Sequence, residues 1–148
     1  MASAPQYPNI KRGDGWAIGH IDDLGEGPGF RKIRKALDVT AFGVNAIVLP
    51  AGIATGLHYH DHQQELYFVH SGEIEMEFGD GTVEHMRTGT LARVDPATVR
   101  GIRNVGERDA VYLCAGGKDG YVGRDGRVRP GEEERVRALH DGPGEGSQ

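Results

Sequence analysis

The sequence predicts an all-β domain, and three observations carry that prediction. Glycine is unusually frequent, 24 of 148 residues, and it punctuates short apolar runs instead of recurring with a fixed period. Several of those runs alternate apolar and polar residues with a period of two, the pattern of half-buried strands. One segment, EIEMEFGDGT at residues 73–82, is such a run followed by an Asp-Gly turn signal. Chain length allows one such core and not two.

Residues 1–34 hold proline, glycine and charge, with DLGEGPGF as a loop, and read as an N-terminal extension. Trp16, Ile18 and Ile21 are the residues there able to pack, as an added strand or as a lid, while His20 reads as a lone solvated imidazole. From Lys35 to Pro50 the run KALDVTAFGVNAIVLP alternates loosely, with Phe42, Val44, Ala46 and Val48 on one face, and reads as one or two strands.

The next stretch, GIATGLHYHDHQQELYFVHSG at residues 52–72, carries the chemistry. Side chains alternate faces along a strand, so His58 and His60 turn both imidazoles to the same side. Glu65 opens the following apolar run, so two neighbouring extended segments close three ligands onto one ion. Two imidazoles and a carboxylate suit Fe, Zn, Mn or Ni in the divalent state better than Ca. Tyr59 has the opposite parity and points away. His62 continues the alternation, but Asp61 and the Gln63-Gln64 pair read as a loop. His70 and His85 read as surface residues.

Leu66-Tyr67-Phe68-Val69 is apolar on both faces, so that strand is expected to be covered on both sides, by the interior and by a second layer or a subunit partner; a homodimer is expected. Tyr67 shares the inward parity of Glu65. In the 73–82 segment Ile74, Met76 and Phe78 point one way and Glu73, Glu75 and Glu77 the other. LARVDP turns at Asp95-Pro96, and TVRGIRN and DAVYLCA follow before Gly116-Gly117. The barrel-forming part is therefore placed at residues 35–117. Residues 118–148 form a C-terminal extension: KDGYVGRDGRVRPG as a loop, GEEERVRAL as the one helical candidate with acids in its first turn, and DGPGEGSQ as a disordered tail.

Charge is mildly acidic, 17 − 22 = −5, with lysine and arginine dispersed, which argues against nucleic acid as a partner. The N-terminus MASAPQYPNIKRGDG has no apolar signal core and the longest apolar run is interrupted by Pro50, so no membrane partner and a cytoplasmic location are expected. A single cysteine, Cys114, excludes an internal disulfide and reads as a buried strand thiol.

The spacing Gly52-x5-His58-x-His60-x4-Glu65-x6-Gly72 resembles the first conserved motif of the cupin superfamily position for position. After a 16-residue spacer (88 − 72), the segment from Gly89 to Asn104 resembles the second motif. Asp95 stands where that family usually has Pro, Ala97 where it has Gly, and Arg100 where it has the His that completes the metal site. The resemblance spans about residues 35–116. It implies a cupin-type double-stranded β-helix, or jelly-roll barrel, with His58, His60 and Glu65 holding a metal inside it. It also implies a small molecule in the barrel, without choosing between enzymes and binding proteins.

Arg100 divides the functional readings, because a guanidinium keeps its proton and cannot ligate a cation. At about 5 Å from a divalent ion the repulsion is about 7 kcal/mol at an effective dielectric near 20. Either Arg100 turns away, or an anion lies between, or there is no ion. In the first reading the protein is a metal-dependent dioxygenase, isomerase or lyase in which Arg100 holds a substrate carboxylate or developing oxyanion and Tyr67 lines the pocket. In the second, Arg100 pairs with Glu65 and the barrel is a metal-free pocket for a small polar or anionic molecule. A third makes the chain a dimeric scaffold.

Overall fold

The computed structural model describes residues 6–131. Its strands are β1 (Lys11–Gly13), β2 (Trp16–Ile18), β3 (Gly29–Arg31), β4 (Gly43–Leu49), β5 (His58–His60), β6 (Gln64–Ser71), β7 (Ile74–Phe78), β8 (Val83–Met86), β9 (Leu91–Val94), β10 (Arg100–Asn104), β11 (Ala110–Gly117) and β12 (Gly126–Val128), with one short α-helix, α1 (Ile33–Leu37). Two five-stranded sheets, in the orders β12-β5-β10-β7-β8 and β3-β4-β11-β6-β9, form the jelly roll, and β1-β2 is a separate hairpin. The fold is the all-β, cupin-type architecture that the motif spacing implied.

The core fills the space between the sheets. Ile47, Leu49, Tyr67, Val69, Tyr112 and Cys114 come from one sheet, and Ile74, Met76 and Ile102 from the other. Full burial of a side chain the size of Ile74 or Met76 contributes about 2 kcal/mol. The β7-β8 hairpin follows its sequence pattern: Ile74 and Met76 are buried while Glu73 and Glu77 are exposed. At its turn Asp80 Oδ1 accepts from the Thr82 amide at 2.9 Å, and the Gly81 amide donates to the Phe78 carbonyl at 2.9 Å.

Two motif positions have clear structural work. Gly72 takes φ +81°, and a Cβ there would sit 2.9 Å from Ala110 Cα, so the turn between β6 and β7 needs glycine twice over. Asn104, nearly fully buried, donates from Nδ2 to the Leu49 and Arg108 carbonyls and accepts from the Gly106 amide, tying the end of β10 to that of β4.

The structure refines three points of the sequence reading. Val44, Ala46 and Val48 share one face of β4 as expected, but Phe42 precedes the strand and is 46% exposed, and it is the opposite face, with Asn45, Ile47 and Leu49, that meets the core. With α1 lying against β4, both faces are apolar, and alternation carries no direction. Helix α1 itself, five residues long, was not expected. Of the two alternatives for Trp16 and Ile18, the structure shows the strand and not the lid: they form β2 of the separate β1-β2 hairpin, 53% and 62% exposed.

Strands from both flanking segments complete the sheets, because β3 pairs with β4 and β12 pairs with β5. The helical candidate GEEERVRAL, apart from Gly131, and the DGPGEGSQ tail lie outside the described residues. No helix among the described residues is long and apolar enough to cross a membrane.

Candidate metal centre

Strand β5 is three residues long and lies between β10 and β12, with His58 opposite Arg100 and His60 opposite Gly126. That brings the His58 and His60 side chains toward Glu65 from β6. One donor atom from each of the three lies within 4.8 Å of the other two. His60 Nε2 is 3.2 Å from Glu65 Oε1. The three residues line a cavity of about 490 Å³ whose other walls include Phe30, Ile47, Tyr67 and Tyr112.

Glu65 is the hub. Its Oε1 accepts from Arg100 Nη2 at 2.6 Å and from the Tyr67 hydroxyl at 2.6 Å; its Oε2 accepts from Gln63 Nε2 at 3.0 Å and from Cys114 Sγ at 3.1 Å. Burial alone would push this carboxyl up, but His60, Arg100 and Tyr67 outweigh it and hold the group well below the usual carboxylate range. Burial, followed by the charge of Arg100, lowers His58 to about 4, so its imidazole is neutral at neutral pH. Burial pushes the Tyr67 hydroxyl and the Cys114 thiol up, so both remain donors. Cys114 is thus the buried strand thiol its sequence context suggested.

Arg100 is fully buried. Its Nε donates to the Tyr67 hydroxyl at 3.2 Å, its Nη1 to the Thr98 carbonyl at 2.6 Å and the Pro96 carbonyl at 3.2 Å, and its Nη2 to Glu65. Arg100 thus pairs with Glu65, as the second reading expected, and does not line the cavity where the first reading placed its contact with a substrate anion. A buried guanidinium needs fixed acceptors to offset its lost hydration, and the Glu65 carboxylate with two or three carbonyls supplies them. Tyr67 does line the cavity, with its hydroxyl engaged by Glu65 and Arg100.

His62 turns out of the barrel. Its ring is 70% exposed and its Nδ1 lies 2.9 Å from Asp125 Oδ1. His70 and His85 are exposed as expected. Asp125 is buried just before β12 and accepts from the backbone amides of His62 at 2.9 Å and Gln63 at 2.8 Å. Burial would raise its carboxyl, but those amides hold it down at about 2. Its Oδ2 lies 3.5 Å from His60 Nδ1, a buried nitrogen with no hydrogen bond of its own. That placement turns the other nitrogen of His60 toward Glu65, as an outer carboxylate does for a ligating imidazole. Asp61, at the surface of the same corner, pairs with Arg127 at 2.7 Å.

Gln63 and Asp125 were not singled out from sequence. Gln63 read only as part of a loop, and Asp125 stands more than sixty residues from the histidine it faces.

The donor set fits a borderline divalent ion. One imidazole is neutral, the carboxylate is ionised, and the second imidazole is oriented from behind by a carboxylate, which is the protonation and alignment a metal requires.

The cupin domain model matches residues 45–116. No curated protein sequence matches the chain. A Klebsiella pneumoniae protein with a double-stranded β-helix domain is similar at 23% identity and TM-score 0.64, over 75% of this chain and 95% of that one. A cupin protein from Bacteroides fragilis is similar at 26% identity and TM-score 0.57, over 70% and 92% of the two chains. A sugar phosphate isomerase of the cupin superfamily from Silicibacter pomeroyi, at 24% identity and TM-score 0.55 over 64% and 69%, shares the fold. The motif spacing, the two facing antiparallel sheets and these likenesses agree: the chain belongs to the cupin superfamily.

Proposed function

We propose that the barrel is a metal-dependent small-molecule site in which His58, His60 and Glu65 hold one divalent transition metal, Fe, Mn, Ni or Zn, at the inner end of the cavity. The observation that carries this reading is the convergence of three donor atoms, within 4.8 Å of one another, in a polar corner of an otherwise largely apolar cavity. A bound ion would supply Lewis-acid polarisation of a substrate oxygen for isomerase or lyase chemistry, and a redox-active one such as Fe would supply the electrons that dioxygenase chemistry needs.

The chain's own residues do the rest. His60 and Arg100 keep Glu65 ionised, Asp125 aims His60, and Phe30, Ile47 and Tyr112 exclude water. Because Arg100 offsets Glu65, an ion leaves the centre positively charged, which favours a small polar or carboxylate-bearing molecule. The lone thiol of Cys114 accords with a cytoplasmic setting. A homodimer is proposed through the outer face of β6 and β9, where Leu66 and Leu91 are 49% and 62% exposed.

A second reading is favoured by one observation: both oxygens of Glu65 already accept two bonds from the chain. It makes the barrel a metal-free small-molecule binder. Elemental analysis of untagged protein, beside Arg100→His and His60→Ala variants, separates the two. Near-stoichiometric metal in the wild type, lost in His60→Ala, supports the metal centre. Metal in Arg100→His alone supports the metal-free pocket and overturns the leading reading.

A further inference from the structure

Two cations line the cavity, and both come from the segment just beyond the last long strand: Arg124 and Arg127. Arg127 is engaged, with Nη2 on Asp61 at 2.7 Å and Nη1 on the Arg124 and Gly126 carbonyls at 3.1 Å each. Arg124 makes no side-chain hydrogen bond or ion pair among the described residues. It is exposed at the mouth, while the next residue, Asp125, is buried and clamped to the amides of His62 and Gln63. The backbone of Arg124 is thus held where the cavity meets solvent, and its guanidinium has no partner among the described residues.

The backbone conformation adds a second, independent sign. Arg124 has φ +52°, in the left-handed region that glycine or asparagine occupies at less cost. A long charged residue held in that conformation at a cavity rim is the kind of local strain that accompanies binding sites. The wall of the same cavity includes apolar residues, among them Val122, Val128, Phe30 and Tyr112.

Resting on the reading of the cavity as a small-molecule site, we infer that Arg124, at its mouth, is the residue that holds the anionic group of the bound molecule, and that this molecule is a small carboxylate with an apolar body. The guanidinium meets the carboxylate with a charge-assisted, two-point fork, and the apolar body lies against Val122, Val128 and the aromatic wall. Arg100, buried behind Glu65, has no part in this contact.

The test uses benzoate and its neutral isostere benzamide, titrated calorimetrically into full-length protein as purified. Wild type is expected to prefer benzoate. That preference falls about tenfold in Arg124→Gln and in Arg124→Gly, with benzamide affinity unchanged, in line with the loss of one charge-assisted contact. Arg124→Lys keeps part of it, and Arg124→Gly melts no lower than wild type because it relieves the left-handed backbone. A wild type indifferent between the two probes, or an Arg124→Gln protein with the full preference, overturns the inference. Elemental analysis of the same samples reads the metal centre separately: absence of metal counts against the proposed function, and the Arg124 contact is still decided by the titration.

Discussion

Replacing Arg100 by methionine tests whether this residue belongs to the fold or to the ligand. The side chain is fully buried and donates to Glu65, to Tyr67 and to the carbonyls of Pro96 and Thr98. Methionine fills much of the same volume but leaves Glu65 without its cation and the carbonyls without their donor. Breaking a buried ion pair by removing one partner costs about 3–5 kcal/mol. In a domain of this size that lowers the melting temperature by about 10–20 °C. Adding Glu65→Met to the variant removes the stranded charge, so the double variant should be more stable than the sum of the single losses by about 2 kcal/mol. Chemical denaturation of the four proteins in EDTA measures the cycle. An Arg100→Met protein within about 1 kcal/mol of wild type would refute the claim that Arg100 is a structural partner of Glu65.

Acid should destabilise the metal-stripped protein in two stages. His58 titrates at about 4 when folded against 6.5 in the unfolded chain, so the unfolded state takes up the proton first. Stability is complete above pH 6.5 and falls as pH drops toward 4, by about 3 kcal/mol in all. Glu65, depressed in the fold from an ordinary value of 4.5, adds a further loss below that pH. Melting temperatures measured in EDTA from pH 7.5 to 3.5 should show both, and His58→Gln should flatten the upper part; an unchanged profile in that variant would contradict the assignment. At the outer sheet face, Leu66→Asp should shift the protein from dimer to monomer in light scattering with little change in the monomer's fold, whereas a monomeric wild type would remove the proposed interface.

The sequence spoke clearly wherever a signal was local. The alternation Ile74, Met76, Phe78 with Asp80-Gly81 behind it defined the β7-β8 hairpin, because one face is buried and the other solvated. His58, His60 and Glu65 could be grouped because strand parity and motif spacing act over fewer than ten residues. Direction was lost in β4, which is covered on both faces, so Ile47 and Leu49 could not be told from their neighbours as its contribution to the core.

The C-terminal side of the site was illegible for a different reason. Asp125 acts on His60, His62 and Gln63 only after β12 has paired with β5, and nothing within its own turn announces that pairing. Arg100 was placed inward correctly, but its partner was not settled, because a cation in a barrel reads the same whether it faces a ligand or a neighbouring strand. Full burial decides that question: the acceptors are Glu65, the Tyr67 hydroxyl and backbone carbonyls.

An anomalous difference map from crystals grown with Mn(II) tests the metal centre most directly. The account predicts one strong peak about 2.1 Å from a nitrogen of His58, a nitrogen of His60 and an oxygen of Glu65, with Arg100 still on the far side of that carboxylate. A site without a peak, with His60 donating directly to Glu65 in well-ordered density, would contradict it.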